Sequence, residues 1–179
     1  MNILQKTLKI AAANHKSLCP RLVLGVRIGL AGAKELGIAI PQKNKDILAI
    51  VETDGCFVSG VEASTACSLS HRTMRVQDIG KVAATFVIIN TGEAIRVSPR
   101  QKVRERALLY APEEKRRYFA MRIGYERMPV DELLNFQEVS LKTPIESLIS
   151  HAGLRTECMQ CGEEIINERE IIQEDIILC

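Results

Sequence analysis

The segment CMQCG at residues 158–162 carries the strongest chemical signal in the sequence. A Cys-x-x-Cys turn presents two thiolates to one tetrahedral metal ion, and the following glycine permits the tight backbone turn behind them. Cys179 follows after 17 intervening residues. That interval matches half of a four-cysteine zinc site whose fourth cysteine would fall three residues beyond Cys179, where this chain ends. We therefore predict zinc ligation by Cys158, Cys161 and Cys179. Water, a nearby side chain such as His151, the terminal carboxylate or a partner chain would fill the fourth position.

Two alternatives exist for this cysteine-rich tail. A redox-active dithiol is one, although such pairs usually follow a strand of a βαβ unit, which the sequence does not indicate here. A tail without metal is the other. Residues 157–179 hold seven acidic residues against Arg169 alone, and phosphate binding needs positive charge. The tail is therefore predicted to be an auxiliary structural element and not a DNA-reading finger.

A second set of candidate ligands is scattered through the first part of the chain. Imidazole and thiolate groups suit zinc or another divalent transition metal, and fewer than four protein ligands would leave a coordination position open for a small molecule. We predict His15, Cys19, Cys56 and Cys67 as ligands of this core site. Asp54 is predicted to orient the site, or to act with Cys56 in catalysis. The alternative is that Cys56 and Cys67 are small buried apolar residues and His15 is an ordinary loop residue.

Helical patterns account for much of the first forty residues. Residues 2–12 have the apolar spacing of a short helix, and residues 22–38 read as a long helix with Pro20 at its first turn. Small residues recur in the long helix at Gly25, Gly29 and Gly32, so another element must pack closely against it. The run 47–51 has the length of a strand, and turn residues then lead to a helix at 58–63. Cys56 therefore lies where a strand passes into a helix.

The remaining elements complete a mixed fold. Strands are predicted at 72–76, 82–90, 94–97 and 136–141, and helices at 112–127 and 130–134. These strands are expected to form an antiparallel sheet with packed helices, in the α+β class. The pattern fades after residue 150, so we predict a core domain at 1–150 and a small tail at 151–179.

Composition limits the cellular setting. The chain has 179 residues, 46% of them hydrophobic, and a net charge of +2, which is typical of a folded globular protein. No apolar run is long enough for a membrane span and the start does not resemble a signal peptide, so a cytoplasmic location with reduced cysteines is expected. Residues 96–127 hold ten Lys and Arg against four Glu. We interpret them as a solvated helix face that attracts acidic protein surfaces, with nucleic acid as the weaker alternative.

Several long blocks, taken together, resemble the FmdE family, which is named after formylmethanofuran dehydrogenase. They are His15 and residues 18–20 (LCP), 22–27 (LVLGVR), 49–56 (AIVETDGC), 71–73 (HRT), 80–86 (GKVAATF) and 161–165 (CGEEI). The resemblance implies an α+β core, commonly dimeric, with a groove lined by its His, Cys and Asp positions. It also implies a treble-clef-like zinc finger at the C-terminus and an association with molybdenum or tungsten formylmethanofuran dehydrogenase operons.

The chain departs from the family pattern at the proposed core site. The family's opening block reads His-Gly-His-x-Cys-Pro-Gly, whereas Lys16, Ser17 and Arg21 replace the first glycine, the second histidine and the last glycine. A hydroxyl is a poorer zinc donor than an imidazole, and Lys16 adds positive charge. The family's Gly-Cys-Thr followed by glycine is also changed, since residues 66–70 read ACSLS.

The leading functional expectation is a metal-binding FmdE-type protein, accessory to molybdenum or tungsten enzymes and homodimeric. One alternative is an enzyme that uses Cys56 at a metal or thiolate centre on a small substrate. Another is a protein-interaction module whose groove has lost its ligands. The sequence does not decide whether the protein is an enzyme.

Overall fold

The computed structural model describes residues 2–13, 15, 17–42, 44–149 and 151–179. Lys16, one of the positions that depart from the family pattern, lies outside these residues. The chain divides into two compact units, Met1–Ser140 and Leu141–Cys179. This division comes earlier than the predicted boundary at residue 150.

The first unit is built around a five-stranded sheet in the order β2-β1-β3-β4-β5. Its strands are β1 (Ile47–Val51), β2 (Met74–Val76), β3 (Ala84–Ile88), β4 (Ala94–Pro99) and β5 (Leu134–Glu138). Strand β1 is buried at every position. The predicted antiparallel pairing is confirmed for β1–β3, β3–β4 and β4–β5, but β1 and β2 pair in parallel. A helix connects β1 to β2, and a crossover of that kind returns the chain in the same direction.

The helices of the first unit are α1 (Ile3–Ala13), α2 (Pro20–Glu35), α3 (Cys56–Thr65), α4 (Val103–Leu109), α5 (Arg117–Arg127) and α6 (Val130–Leu133). Helix α4 was not predicted, and α5 begins later than the predicted start at residue 112. The delay has a local cause, because the Glu114 carboxylate accepts hydrogen bonds from the Arg116 backbone N–H at 2.9 Å and from its guanidinium. A side chain that bonds nearby backbone in this way competes with helix formation.

Helices α2 and α3 pack closely against each other at glycine residues. A Cβ atom on Gly25 would lie 2.2 Å from the Phe57 carbonyl oxygen, and one on Gly60 would lie 2.3 Å from the Leu22 carbonyl oxygen. Further along, Gly29 faces Ser64. Because residue numbers rise together along both helices, α2 and α3 run parallel. Their N-termini therefore lie side by side.

Arg27 fixes α5 against α2. This side chain is only 7% exposed, and its guanidinium donates to the carbonyl oxygens of Tyr125 at 2.7 Å, Glu126 at 3.1 Å and Met128 at 2.7 Å. The carbonyls of a last helical turn have no partner within their own helix and carry partial negative charge. The buried Arg27 guanidinium thus supplies the hydrogen-bond donors for the carbonyl groups at the C-terminal end of α5.

The second unit contains a short helix and two hairpins. The helix is α7 (Ile145–Leu148), and the hairpins pair β6 (Arg155–Glu157) with β7 (Glu164–Ile166) and β8 (Ile171–Gln173) with β9 (Ile176–Leu178). The predicted cysteine turn forms the tip of the first hairpin. Among the residues that the structure describes, no helix has the length and apolar character needed to cross a membrane.

We predict that Gly25→Ala lowers the free energy of unfolding by about 1–3 kcal/mol, because the new methyl group meets backbone that has little room to move. Urea denaturation followed by circular dichroism measures this value. Lys34→Ala, on the exposed side of the same helix, is the control and should change stability by less than about 0.5 kcal/mol. Equal stabilities for the wild type and Gly25→Ala would show that the helices are not in close contact.

We predict that Arg27→Met costs roughly 2–4 kcal/mol, since methionine keeps much of the side-chain volume but leaves three carbonyl oxygens without a donor. The same denaturation experiment tests it, with Lys34→Met as the exposed control on α2. A variant as stable as wild type would mean that these hydrogen bonds are replaced by water without loss.

Candidate functional site

Three cysteines converge in the second unit. The Sγ atoms of Cys158, Cys161 and Cys179 all lie within 4.8 Å of one another, and Cys161 and Cys179 are 4.0 Å apart. Cys158 is 2% exposed, whereas the other two are at the surface. The three side chains are close enough together to hold a metal ion, and no other group of three or more histidine, cysteine or acidic side chains in the described ranges is.

Backbone hydrogen bonds build this cluster. The Gly162 N–H donates to the Cys158 carbonyl at 2.8 Å, and Gly162 has a positive φ of 75°, so the chain turns tightly after Cys161. The Met159 N–H donates to the Ile177 carbonyl at 2.8 Å. This bond holds β9 beside the turn and places Cys179 next to the Cys-x-x-Cys pair.

The same turn favours a thiolate at Cys158. Hydrogen bonds from the backbone N–H of Cys161 and then of Gln160 lower the pKa of the Cys158 thiol to about 7. The neighbouring thiols of Cys158 and Cys161 raise the pKa of Cys179. Three sulfurs that share one small space resist simultaneous ionisation, and a bound cation would remove that repulsion.

The spacing of these sulfurs fits a tetrahedral thiolate site. Zinc–sulfur bonds of about 2.3 Å in tetrahedral geometry place sulfurs about 3.8 Å apart. The 4.0 Å separation of Cys161 and Cys179 is close to this value. The residues present therefore fit a zinc-like ion at three of its four coordination positions.

His151 is engaged elsewhere in the same unit. One ring nitrogen lies 2.5 Å from the Glu146 carbonyl oxygen, and the other lies 3.4 Å from the Glu168 carboxylate. Both of its nitrogens have partners, so His151 is not placed as the fourth ligand that the sequence suggested.

In the first unit, Cys19 and Cys56 form a neighbouring pair of thiols. Cys19 is the N-cap of α2, and its sulfur accepts a hydrogen bond from the Leu22 N–H at 3.3 Å. Cys56 is the first residue of α3, directly after Gly55, whose φ of 71° turns the chain from the β1 loop into the helix. The parallel packing of α2 and α3 therefore brings the two thiols together at two helix N-termini.

The electrostatic setting of this pair differs from that of the tail. Burial raises the pKa of the Cys56 thiol, and the hydrogen bond and charge of Cys19 raise it further. A hydrogen bond from its own backbone and then the Arg21 guanidinium lower it in part. A helix N-terminus by itself would lower a thiol pKa. Burial outweighs this effect here, and the pKa of the Cys56 thiol lies above its usual value.

Cys67 does not join Cys19 and Cys56, and the described residues of the first unit form no group of three or more potential metal ligands. Cys67 is 1% exposed, and its thiol donates to the Ile47 carbonyl of β1 at 3.7 Å. It follows the far end of α3, and a ten-residue helix is about 15 Å long, which is too far for ligands of one ion. His15 lies just after α1 with its N–H bonded to the Ala12 carbonyl, and Asp54 is exposed in the loop after β1. Metal binding by the core stays a prediction.

A cavity of about 280 Å³ opens beside the thiol pair. Residues from α2, α4 and α5 and from the loop before β3 line it. They are Cys19, Pro20, Arg21, Leu24, Val82, Arg104, Tyr118, Met121 and Tyr125. Burial raises the pKa of the Tyr118 hydroxyl, and the charges of Cys19 and Cys56 raise it further. The ring therefore lies near both thiols.

Sequence reasoning missed the α5 wall of this cavity. Tyr118, Met121 and Tyr125 are spaced i, i+3 and i+7, which places them on one face of a helix. That spacing could have identified a stripe facing inward. The basic residues of the surrounding stretch 96–127 instead suggested a solvated helix face.

Ion pairs neutralise half of the basic stretch. Arg96 forms a bidentate salt bridge with the Glu52 carboxylate, with N···O distances of 2.5 and 2.7 Å. Four surface pairs add to it: Arg106–Glu132, Arg116–Glu114, Arg122–Glu126 and Arg127–Glu113. These cations are already matched by carboxylates, so the stretch is not a continuous positive surface.

Two known proteins share part of this sequence or fold. A curated relative from Archaeoglobus fulgidus, named a probable S-adenosyl-L-methionine-binding protein, is 36% identical over 86 residues, which is 46% of this chain and 24% of the relative. The match therefore spans about a quarter of that relative's length. The crystal structure of a tungsten formylmethanofuran dehydrogenase FmdE-like protein from Syntrophus aciditrophicus is 23% identical with a TM-score of 0.63, and the match covers 91% of this chain and 85% of that one. That likeness shows the fold.

The family model described as FmdE, Molybdenum formylmethanofuran dehydrogenase operon, matches residues 14–149, which is most of the chain and nearly all of the sheet-and-helix unit. The match includes Cys19, Cys56 and Cys67. The family resemblance predicted from the sequence blocks is confirmed, and the chain belongs to the FmdE family.

Proposed function

We propose that this FmdE-family protein is a zinc-binding accessory protein of molybdenum or tungsten formylmethanofuran dehydrogenase-type enzymes. The observation that supports metal binding is the cluster of three sulfurs within 4.8 Å in the second unit. Zinc suits it because zinc takes thiolate ligands in tetrahedral geometry and undergoes no redox change. The accessory role follows from the operon association carried by the family description.

The role of the tail metal is structural. Its ligands connect the tip of the β6–β7 hairpin to the end of β9, and each of these hairpins is too short to be stable alone. A bound ion joins two such hairpins and contributes directly to their folding free energy. The surrounding glutamates add negative charge, which attracts a cation and repels nucleic acid.

Copurification tests the accessory role. Tagged protein should retain the catalytic subunits of the molybdenum or tungsten enzyme of its own organism, and should elute as a homodimer in size-exclusion chromatography with light scattering. Failure to retain those subunits, with a metal-loaded tail, would reject the accessory role while leaving metal binding intact.

We predict that Cys158→Ser abolishes tight zinc binding by the tail, because it removes the buried thiolate and leaves two surface cysteines. Titration with Co²⁺ as a spectroscopic substitute measures the loss of thiolate-to-cobalt charge-transfer absorption. Cys67→Ser, at a buried thiol outside the cluster, is the control and should leave the absorption unchanged. Equal binding by wild type and Cys158→Ser would place the metal elsewhere.

The Cys56→Ser variant separates the two cysteine regions in the same titration. Unchanged stoichiometry assigns all bound metal to the tail, whereas loss of one equivalent assigns a second ion to the core thiols. Elemental analysis of protein purified without added metal provides an independent count and identifies the ion.

We predict that zinc binding weakens as the pH falls from 8 to 6. The Cys158 pKa of about 7 means that this thiol is mostly ionised at pH 8 and mostly protonated at pH 6. Zinc must displace that proton at pH 6, so binding should release about one more proton there than at pH 8. Isothermal titration calorimetry in buffers of different ionisation enthalpy counts the protons. The same count at both pH values would contradict the assignment.

A further inference from the structure

The cavity beside Cys19 is apolar over most of its wall. Leu24, Val82 and Met121 supply aliphatic and thioether surface, and two tyrosine rings complete it. At about 280 Å³ it is at the small end of the range for ligand pockets, so it suits a compact molecule with an apolar body.

Tyr125 brings an unpartnered polar group to this wall. Its side chain is only 2% exposed and lines the cavity, yet its hydroxyl makes no hydrogen bond within the residues that the structure describes. Among the described residues, the Tyr125 hydroxyl oxygen does not count as a buried atom without a partner, so it is accessible from the cavity. A ligand oxygen there would accept its hydrogen bond.

Two arginines at the same cavity also lack partners. Within the described part of the chain, neither Arg21 nor Arg104 forms an ion pair with a carboxylate, whereas Arg106 and Arg122 of the adjoining turns do. Burial is the largest cause of the raised pKa of Cys56 and of Tyr125; Arg21 lowers the first in part, and Arg104 lowers the second in part while Glu105 raises it. Two guanidinium groups without an ion-pair partner among the described residues, next to an apolar cavity, favour an anion there.

We propose that this cavity binds a small organic carboxylic acid, with its apolar body against Leu24, Val82 and Met121 and its carboxylate held by Arg21 and Arg104. Tyr125 donates a hydrogen bond to one ligand oxygen. The planar guanidinium fork matches a carboxylate in two-pronged geometry, which gives specificity over alcohols and amines of the same shape. This inference goes beyond the zinc site and does not depend on it, because every lining residue belongs to the first unit.

A matched set of probes tests the charge preference. Calorimetry on the full chain compares 3-phenylpropionate, 3-phenylpropan-1-ol and 3-phenylpropylamine, which share one apolar body and differ in head group. We expect the acid to bind about tenfold more tightly than the alcohol, with the amine weakest. Equal affinities, or no binding of the acid at millimolar concentration, would overturn the proposal.

Substitutions then locate the acid. Arg21→Gln and Arg104→Gln should each weaken the affinity for the acid several-fold and leave the affinity for the alcohol unchanged. The double variant should bind the acid and the alcohol equally. Lys115→Gln, an exposed cation of the same basic stretch, is the charge-matched control and should have no effect. The acid should also slow alkylation of Cys19 by iodoacetamide. Acid binding that survives the double variant, or that leaves Cys19 alkylation unchanged, would place the ligand elsewhere.

Discussion

The close approach of α2 and α3 through Gly25 and Gly60 is the constraint on which the first unit depends. Backbone carbonyl oxygens lie where a Cβ atom would be on either glycine, so the helices meet backbone to backbone. Because they run parallel at this distance, their first residues are neighbours. Cys19 and Cys56, which are distant in the sequence, become adjacent thiols as a result, and the cavity opens next to them.

The two cysteine regions show how opposite environments tune the same chemical group. In the tail, backbone N–H donors lower the pKa of Cys158 to about 7 and prepare it for a cation. In the first unit, burial and a second thiol raise the pKa of Cys56. The tail turn thus favours the Cys158 thiolate, whereas burial disfavours the Cys56 thiolate.

The arginines divide between structure and the cavity. Arg27 is buried and satisfies the end of α5, and Arg96 is paired with Glu52 across the sheet. Several others form surface pairs that contribute little stability individually. Arg21 and Arg104 remain without carboxylate partners in the described chain, and both are at the cavity. A uniformly basic stretch in the sequence therefore becomes a few local charges with different roles.

The sequence by itself determined the family, the α+β class, the Cys-x-x-Cys turn with Cys179 as its partner, and the position of Cys56 at a strand-to-helix junction. These features are local, since each depends on residue spacing, turn glycines and periodicity within a short segment. Only the tertiary structure decided which distant residues meet. It separated Cys67 from Cys56 by the length of α3, made β1 and β2 parallel, and placed Tyr125 beside Cys19, because helix packing and strand order are set by contacts across the whole chain.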